Sequence, residues 1–283
     1  MRSLIRLANQ LNWIHTPFLI LFHALAVMAV VATRPRPIDL VLLVVLYLAT
    51  GFGITVGFHR LIAHRGFKTP RWLRNIFGFL GTASLQGGPV QWSTVHRRHH
   101  QLSDKPLDPH TPTRGFFFSH IGWIFLRRKI EKNELLVKDV VSEPFFRWLD
   151  RPLPSVVPAV SLAVLCYVLA GWQGVLWGVF LRTVLLWNAT WCVNSFCHLM
   201  GSREFNTPDG SRNLWWVGLI ALGEGWHNNH HARPRCAVHG IRWWQVDISW
   251  MFIRVLERLG LASAIQRPRE VESSVEDALE VAS

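Results

Sequence analysis

Only four cysteines and two tyrosines occur in this 283-residue chain. Cys166, Cys192 and Cys197 fall in apolar runs and Cys236 stands alone in a polar stretch. No pair has the spacing of a zinc ribbon, and no disulfide framework is available. Buried, reduced thiols in a cytoplasm-facing protein are the expectation. Acidic residues are scarce as well, 18 Asp and Glu against 30 Lys and Arg, for a formal net charge of +12. A basic balance often marks a nucleic-acid partner. The chain has no helix-turn-helix, zinc-finger or stacking-platform signature, so no nucleic acid is expected to bind. It also has no repeat with a period of roughly 20–50 residues, which excludes solenoids and propellers. The first apolar run lacks a small-residue cleavage pattern, so it does not read as a removable secretory signal.

What the chain has is long apolar runs, 15 tryptophans and 14 histidines. Runs of about 20 apolar residues match the thickness of a bilayer. They lie at about 13–33, 38–58, 153–171 and 174–198. Arg34-Pro35-Arg36-Pro37 and Gly171-Trp172-Gln173-Gly174 break them into two hairpins. A polar insert, 59–151, separates the hairpins. The fold class expected is an all-α integral membrane protein: four transmembrane helices and a cytoplasmic helical cap. Residues 1–265 form one membrane domain, and 266–283 an acidic, disordered tail. Arg60, Arg65, Lys68, Arg71, Arg74, Arg147 and Arg151 flank the insert and outnumber Arg34 and Arg36. The positive-inside rule puts the insert and both termini in the cytoplasm. Segments 76–90 and 241–259 are expected along the membrane interface. In the second, Trp244, Ile248, Met251, Phe252, Val255 and Leu259 recur at helical spacing.

Nine of the histidines form a pattern. His59 and His64 bracket His-Arg-Leu-Ile-Ala-His, and His198 ends the fourth run. His96, His99, His100 and His227, His230, His231 repeat one form, His-x-x-His-His. On a helix, residues i, i+3 and i+4 share a face, so each triplet can point at a single centre. His59 and His64 are five apart and need a turn or bend to converge. Asn194 lies one helical turn before His198. Nine imidazoles exceed the coordination sphere of one metal, so two metals are expected. Imidazole suits zinc, copper, iron and nickel alike. The lack of thiolates disfavours structural zinc. Asp104, Asp108 and Glu224 are close enough in sequence to orient ligand imidazoles. His15, His23, His110, His120 and His239 are isolated and read as packed or solvated residues.

These residues resemble the membrane fatty-acid desaturases of the delta-9 branch. That branch includes the animal stearoyl-CoA enzymes and the cyanobacterial and plant acyl-lipid enzymes. The stretches that carry the likeness are Gly53-Ile-Thr-Val-Gly-Phe-His59, Gln86-Gly-Gly-Pro-Val-Gln-Trp92, Asp108-Pro-His-Thr-Pro, Asn188 to His198, and Gly223-Glu-Gly-Trp-His-Asn-Asn-His-His231. The resemblance implies two iron ions on the nine histidines, with Asn194 reaching a metal through water. Zinc can substitute in purified protein. It further implies a bent tunnel, kinked by Gln86, Trp92 and Thr190 and closed near Tyr47 and Gly51. The reaction implied is an O2-dependent cis desaturation between carbons nine and ten of a saturated chain of sixteen or eighteen carbons. In the acyl-CoA enzymes, charged and amide residues hold the head group. Gly87, Gly88, Gln91, Thr94 and Val95 stand at those positions here, which favours an acyl-lipid substrate over acyl-CoA. No heme-type domain is fused, so a separate ferredoxin, or a b-type cytochrome with its reductase, is expected to deliver electrons. The bacterial inner membrane is the expected location.

Two other readings compete. A related di-iron lipid or alkane hydroxylase has similar ligands but inserts oxygen. A metal transporter or sensor should carry ionisable residues along its spans. Only Arg182 is central to a span, and its expected role is structural.

Overall fold

A computed structural model describes residues 11–126 and 135–268. The basic lead at Arg2 and Arg6 and nearly all of the acidic tail lie outside the described residues. Among the described residues the chain is helical, with isolated β-bridges and no strand. Three helical stretches are long and apolar enough to cross a membrane: His15–Ala32, Pro37–Ala63 and Pro154–Leu199. Val27, Val31, Val44, Val164 and Val168 point outward from them, exposed. Helices suit such an environment because they satisfy their own backbone groups where water cannot.

α1 (His15–Ala32) ends where Thr33 turns extended, φ −129° and ψ 153°. α2 (Pro37–Phe52) opens on Pro37, which lacks the amide that a first turn leaves unpaired. The Arg36 amide donates to Asp39 Oδ2 at 2.8 Å. Buried Asp39 also accepts from the Arg36 guanidinium and from Gln173 Nε2 at 2.7 Å. Arg36 reaches on to the Ala170 carbonyl at 2.6 Å. The two linkers expected at 34–37 and 171–174 therefore lie together at one end of the bundle.

The third long stretch comprises α5 (Val157–Val175), a π-helical segment π2 (Leu176–Leu181) and α6 (Arg182–Leu199). It is not straight. Gly171 sits at φ 65° and ψ −157°, which breaks the helix. Beyond it Gly178 packs back on Cys166, where a Cβ would come within 2.6 Å of the sulfur. The stretch is thus two helices folded on each other at the glycine.

α2 runs directly into a second π-helix, π1 (Gly53–Ala63), every residue of which is buried. α3 (Arg71–Thr82) lies across it. A Cβ on Gly53 would collide with the Gly81 backbone, and one on Gly57 would stand 2.8 Å from Phe77 Cβ. Small residues let two backbones approach this closely. The 76–90 segment is divided between two helices. α3 starts earlier, at Arg71, and buries Phe77 and Gly81 while exposing Trp72 and Ile76. A turn follows before α4 (Pro89–Leu102). After α7 (His227–Ala232), α8 (Ile248–Arg258) is shorter than the 241–259 periodicity suggests. Asp247 caps it, its side chain accepting from the Trp250 amide. Ile253 and Leu256 face the core, while Met251, Val255 and Leu259 are exposed.

Candidate active site

The nine patterned histidines converge from four places: π1 and its end, α4, α6 and α7. They form two clusters. His59, His64, His96, His100 and His230 make the first; His99, His198, His227 and His231 make the second. Within each, one ring nitrogen of every member lies within 4.8 Å of the others. Neither triplet points at a single centre, which corrects the expectation above. At about 3.6 residues per turn, i and i+4 nearly align while i+3 falls to the other side of the stripe. His96 and His100 therefore face the first cluster and His99 the second. In α7, His227 and His231 face the second and His230 the first.

His59 and His64 converge without the turn or bend that an α-helix would need. π1 is closed by i→i+5 hydrogen bonds, and the His64 amide donates to the His59 carbonyl at 3.0 Å. Residues five apart then stack one above the other. Arg65 follows at φ 56°, a left-handed conformation that stops the helix directly after the second ligand candidate.

Behind the rings stand carboxylates. His99 Nδ1 donates to Asp108 at 3.0 Å, and His231 Nδ1 to Asp209 at 2.8 Å. His59 Nδ1 lies 2.6 Å from Glu224 and His198 Nδ1 2.9 Å from Asp104. These last two are close approaches rather than aligned hydrogen bonds. Burial, the largest single influence, raises the Asp108 and Asp209 carboxyls, but the bonds to His99 and His231, the charge of those rings and further hydrogen bonds together bring both below the ordinary range. Burial, with the neighbouring rings, holds His64, His96, His100, His227 and His230 well below the usual imidazole value. At neutral pH these rings are uncharged, the form that ligates metals.

The donor set fits a metal. His99 and His231 each spend their Nδ1 proton on a carboxylate, so each Nε2 carries a lone pair. Those two lone pairs face one another at 3.4 Å. In the first cluster the Nε2 atoms of His59 and His230 stand 3.0 Å apart, those of His230 and His100 2.9 Å, and those of His100 and His96 3.1 Å. Ring nitrogens this close must share a proton or a cation between them. Neighbouring ligands about 3 Å apart suit bonds of roughly 2.1 Å to one ion.

A cavity of about 550 Å³ opens beside the clusters. Gln86, Trp92, Thr190 and Asn194 line it together with His59, His96, His99 and His227. Trp92 stacks on His96 with ring centres 4.9 Å apart. Thr190 Oγ1 donates to Gln86 Oε1 at 3.1 Å, tying α6 to the turn before α4. Tyr47 and Gly51 are not among the lining residues. The Tyr47 hydroxyl donates to the Ile220 carbonyl at 2.6 Å, and a Cβ on Gly51 would meet Leu222 Cδ1 at 2.7 Å. Both reach the 220–222 segment instead. Arg182 is fully buried away from the cavity, donating to the Gly178 and Ala83 carbonyls and to Thr50 Oγ1.

Sequence reasoning missed Asp209, which lies 22 residues from His231 with no motif to flag it. It also set aside His110 and His239, both fully packed against the clusters. The spacing Gly53-x-x-x-Gly57 was an available signal for the close approach of π1 and α3.

Residues 39–251 match the fatty acid desaturase family. The chain is similar to the sn-2 palmitoyl-lipid 9-desaturase of Nostoc sp. (strain 36), 43% identical over 90% of each chain. It is 40% identical to the sn-1 stearoyl-lipid 9-desaturase of Anabaena variabilis, over 91% of this chain and 94% of that one. It is also 44% identical to an acyl-CoA C20 Delta5-desaturase of Anemone leveillei, over 78% of this chain and 71% of that one. With this match and these relatives, the chain belongs to the fatty acid desaturase family and is an oxidoreductase of the desaturase class.

Proposed function

We propose that the protein introduces a cis double bond between carbons nine and ten of a saturated chain of sixteen or eighteen carbons, carried on a membrane lipid. The observation that carries this reading is the cavity lined jointly by both histidine clusters and by Gln86, Trp92 and Thr190. Two of the relatives above are named lipid 9-desaturases. The lipid carrier is supported by those names and by Gly87, Gly88, Gln91, Thr94 and Val95, which stand where the acyl-CoA enzymes carry head-group residues. A carrier with several phosphates would need cations there.

We assign two iron ions to the clusters, with the nine histidines as ligands and Asn194 holding a water at the metal. Iron, when bound, supplies with O2 the oxidising power that an unactivated methylene pair requires. The chain loses two hydrogens, and O2 becomes two waters with two further electrons and two protons. The protein's own part is placement. Trp92 covers His96, and the Thr190–Gln86 bond fixes a polar bridge against which an acyl chain bends. Buried walls keep water out, so a carbon pair held there is not exposed to side reactions. Arg65, Arg97 and Arg235 rim a surface depression that His64 and His100 also line. That charge suits an acidic ferredoxin or b-type cytochrome. The helices fold as four spans in a bacterial inner membrane, with the cap and both termini in the cytoplasm.

Expression in a desaturase-deficient host tests the reading. Mass spectrometry of total lipid should find new cis-9 monounsaturated chains on glycerolipids. Hydroxylated chains as the sole product would sink the desaturase assignment. Turnover of purified protein on acyl-CoA but not on lipid would sink the carrier.

A further inference from the structure

His239 is wholly buried, outside both His-x-x-His-His triplets and far along the chain from all of the nine patterned histidines except those of α7. Its ring centre lies 4.5 Å from that of His230 and 5.3 Å from that of His59. Its Nδ1 stands 3.2 Å from Glu224 Oε2, the same oxygen that approaches His59 Nδ1 at 2.6 Å. The backbone around it is pinned from two sides. Its amide donates to Asp247 at 2.8 Å, and its carbonyl accepts from Asn229 of α7 at 2.8 Å.

Arg60 explains why such a residue is needed. Its guanidinium spends one fork on Asp247, at 3.0 and 2.9 Å. Towards Glu224 it uses a single oxygen: Nε and Nη2 both donate to Oε1, at 3.2 and 3.0 Å. A guanidinium edge prefers to engage both oxygens of a carboxylate. Rotation of Glu224 into that fork would draw Oε2 away from His59. The His239 ring stands against Oε2 and opposes the rotation.

We propose that His239 is a positioning residue: it holds Glu224 so that this carboxylate aims His59 at the first cluster. The role rests on the two-metal reading above. Removing an orienting partner of this kind typically costs about 10–100-fold in metal affinity.

Cobalt(II) titration of purified, metal-free protein, followed by its visible spectrum, tests this without relying on turnover or on the identity of the native metal. The wild type should take up two equivalents. His239→Ala should keep one and bind the other at least tenfold more weakly, with an altered spectrum for that equivalent alone. His239→Asn, whose amide can place a nitrogen near Oε2 where the ring's Nδ1 stands, should recover most of the loss. In a Glu224→Gln background, His239→Ala should add little, because it acts through Glu224. Unchanged binding of both equivalents in His239→Ala would overturn the proposal. So would equal weakening of both equivalents in the Ala and Asn variants, the mark of a general structural loss. A wild type that takes up fewer than two equivalents would overturn the two-metal reading, and this role with it.

Discussion

Asp209 shows how a loop residue governs a ligand it adjoins only in space. Its carboxylate accepts from His231 Nδ1 and is itself fixed by the Ser211 amide at 3.0 Å. That bond dictates the His231 tautomer and turns the Nε2 lone pair inward. An amide in its place can present either end to the ring, so the tautomer is no longer fixed. Asp209→Asn should therefore weaken metal binding at the second cluster by roughly 10–100-fold while sparing the first. Elemental analysis after dialysis reads this directly, and full retention of both metals would count against the assigned role. Backbone strain reaches some of the same places. Arg65, Leu85, Asp104 and Leu222 all adopt positive φ, between 55° and 63°. Arg65 follows His64, Leu85 lines the cavity and Asp104 approaches His198, whereas Leu222 and Ala264, at φ 48°, adopt the same conformation away from the cluster histidines.

At the scale of elements, the histidine spacing revealed which residues meet, but not how they divide. The triplets, the carboxylates Asp104, Asp108 and Glu224, and the apolar runs were all legible, because they repeat or lie near one another in sequence. The split of each triplet between two centres was hidden, since i+3 and i+4 look equivalent until two centres flank the helix. The π-helical winding of π1 was hidden too, because spacing alone does not report the hydrogen-bond register. It depends on contact with α3. Gly53→Ala would press a methyl into the Gly81 backbone. Overpacking typically costs about 1–3 kcal/mol, and backbone cannot yield as a side chain can. The yield of monodisperse protein on size exclusion should fall sharply, and an unchanged profile would show that π1 and α3 are less tightly apposed. Gly51→Phe has a different expected result. It displaces Leu222, a flexible side chain two residues before Glu224. Activity should fall for chains of every length, through the site's support. A clean shift in preference towards shorter chains would instead restore Gly51 to the tunnel's end.

Over the whole molecule, the linkers and the clusters sit on different parts of the fold, and this allows a topological test. The linkers are tied to each other through Asp39 and Gln173. All four native cysteines are buried, so single introduced cysteines can report exposure. Arg34→Cys and Trp172→Cys should label from outside intact cells, and Lys105→Cys should not. Labelling of Lys105→Cys from outside would invert the orientation.

The clusters also bear on stability, because they draw π1, α4, α6 and α7 to one place. Without metal, the lone pairs of His99 and His231 face each other at 3.4 Å with nothing to attract them. Protonation could relieve that repulsion, yet burial holds His231 at about 4, and its bond to Asp209 does not offset the cost. A bound cation would satisfy both nitrogens at once, so metal should hold these four elements together. A ligand held at a hundred times its dissociation constant stabilises a fold by about 2.7 kcal/mol. For a domain of this size that corresponds to a Tm change on the order of 5–10 °C. Chelation should lower Tm by that amount, and readdition of iron(II) or zinc should restore it, since imidazole accepts either ion. A protein shown by elemental analysis to have lost its metal, yet melting at the original temperature, would mean that the histidines hold their places through packing alone.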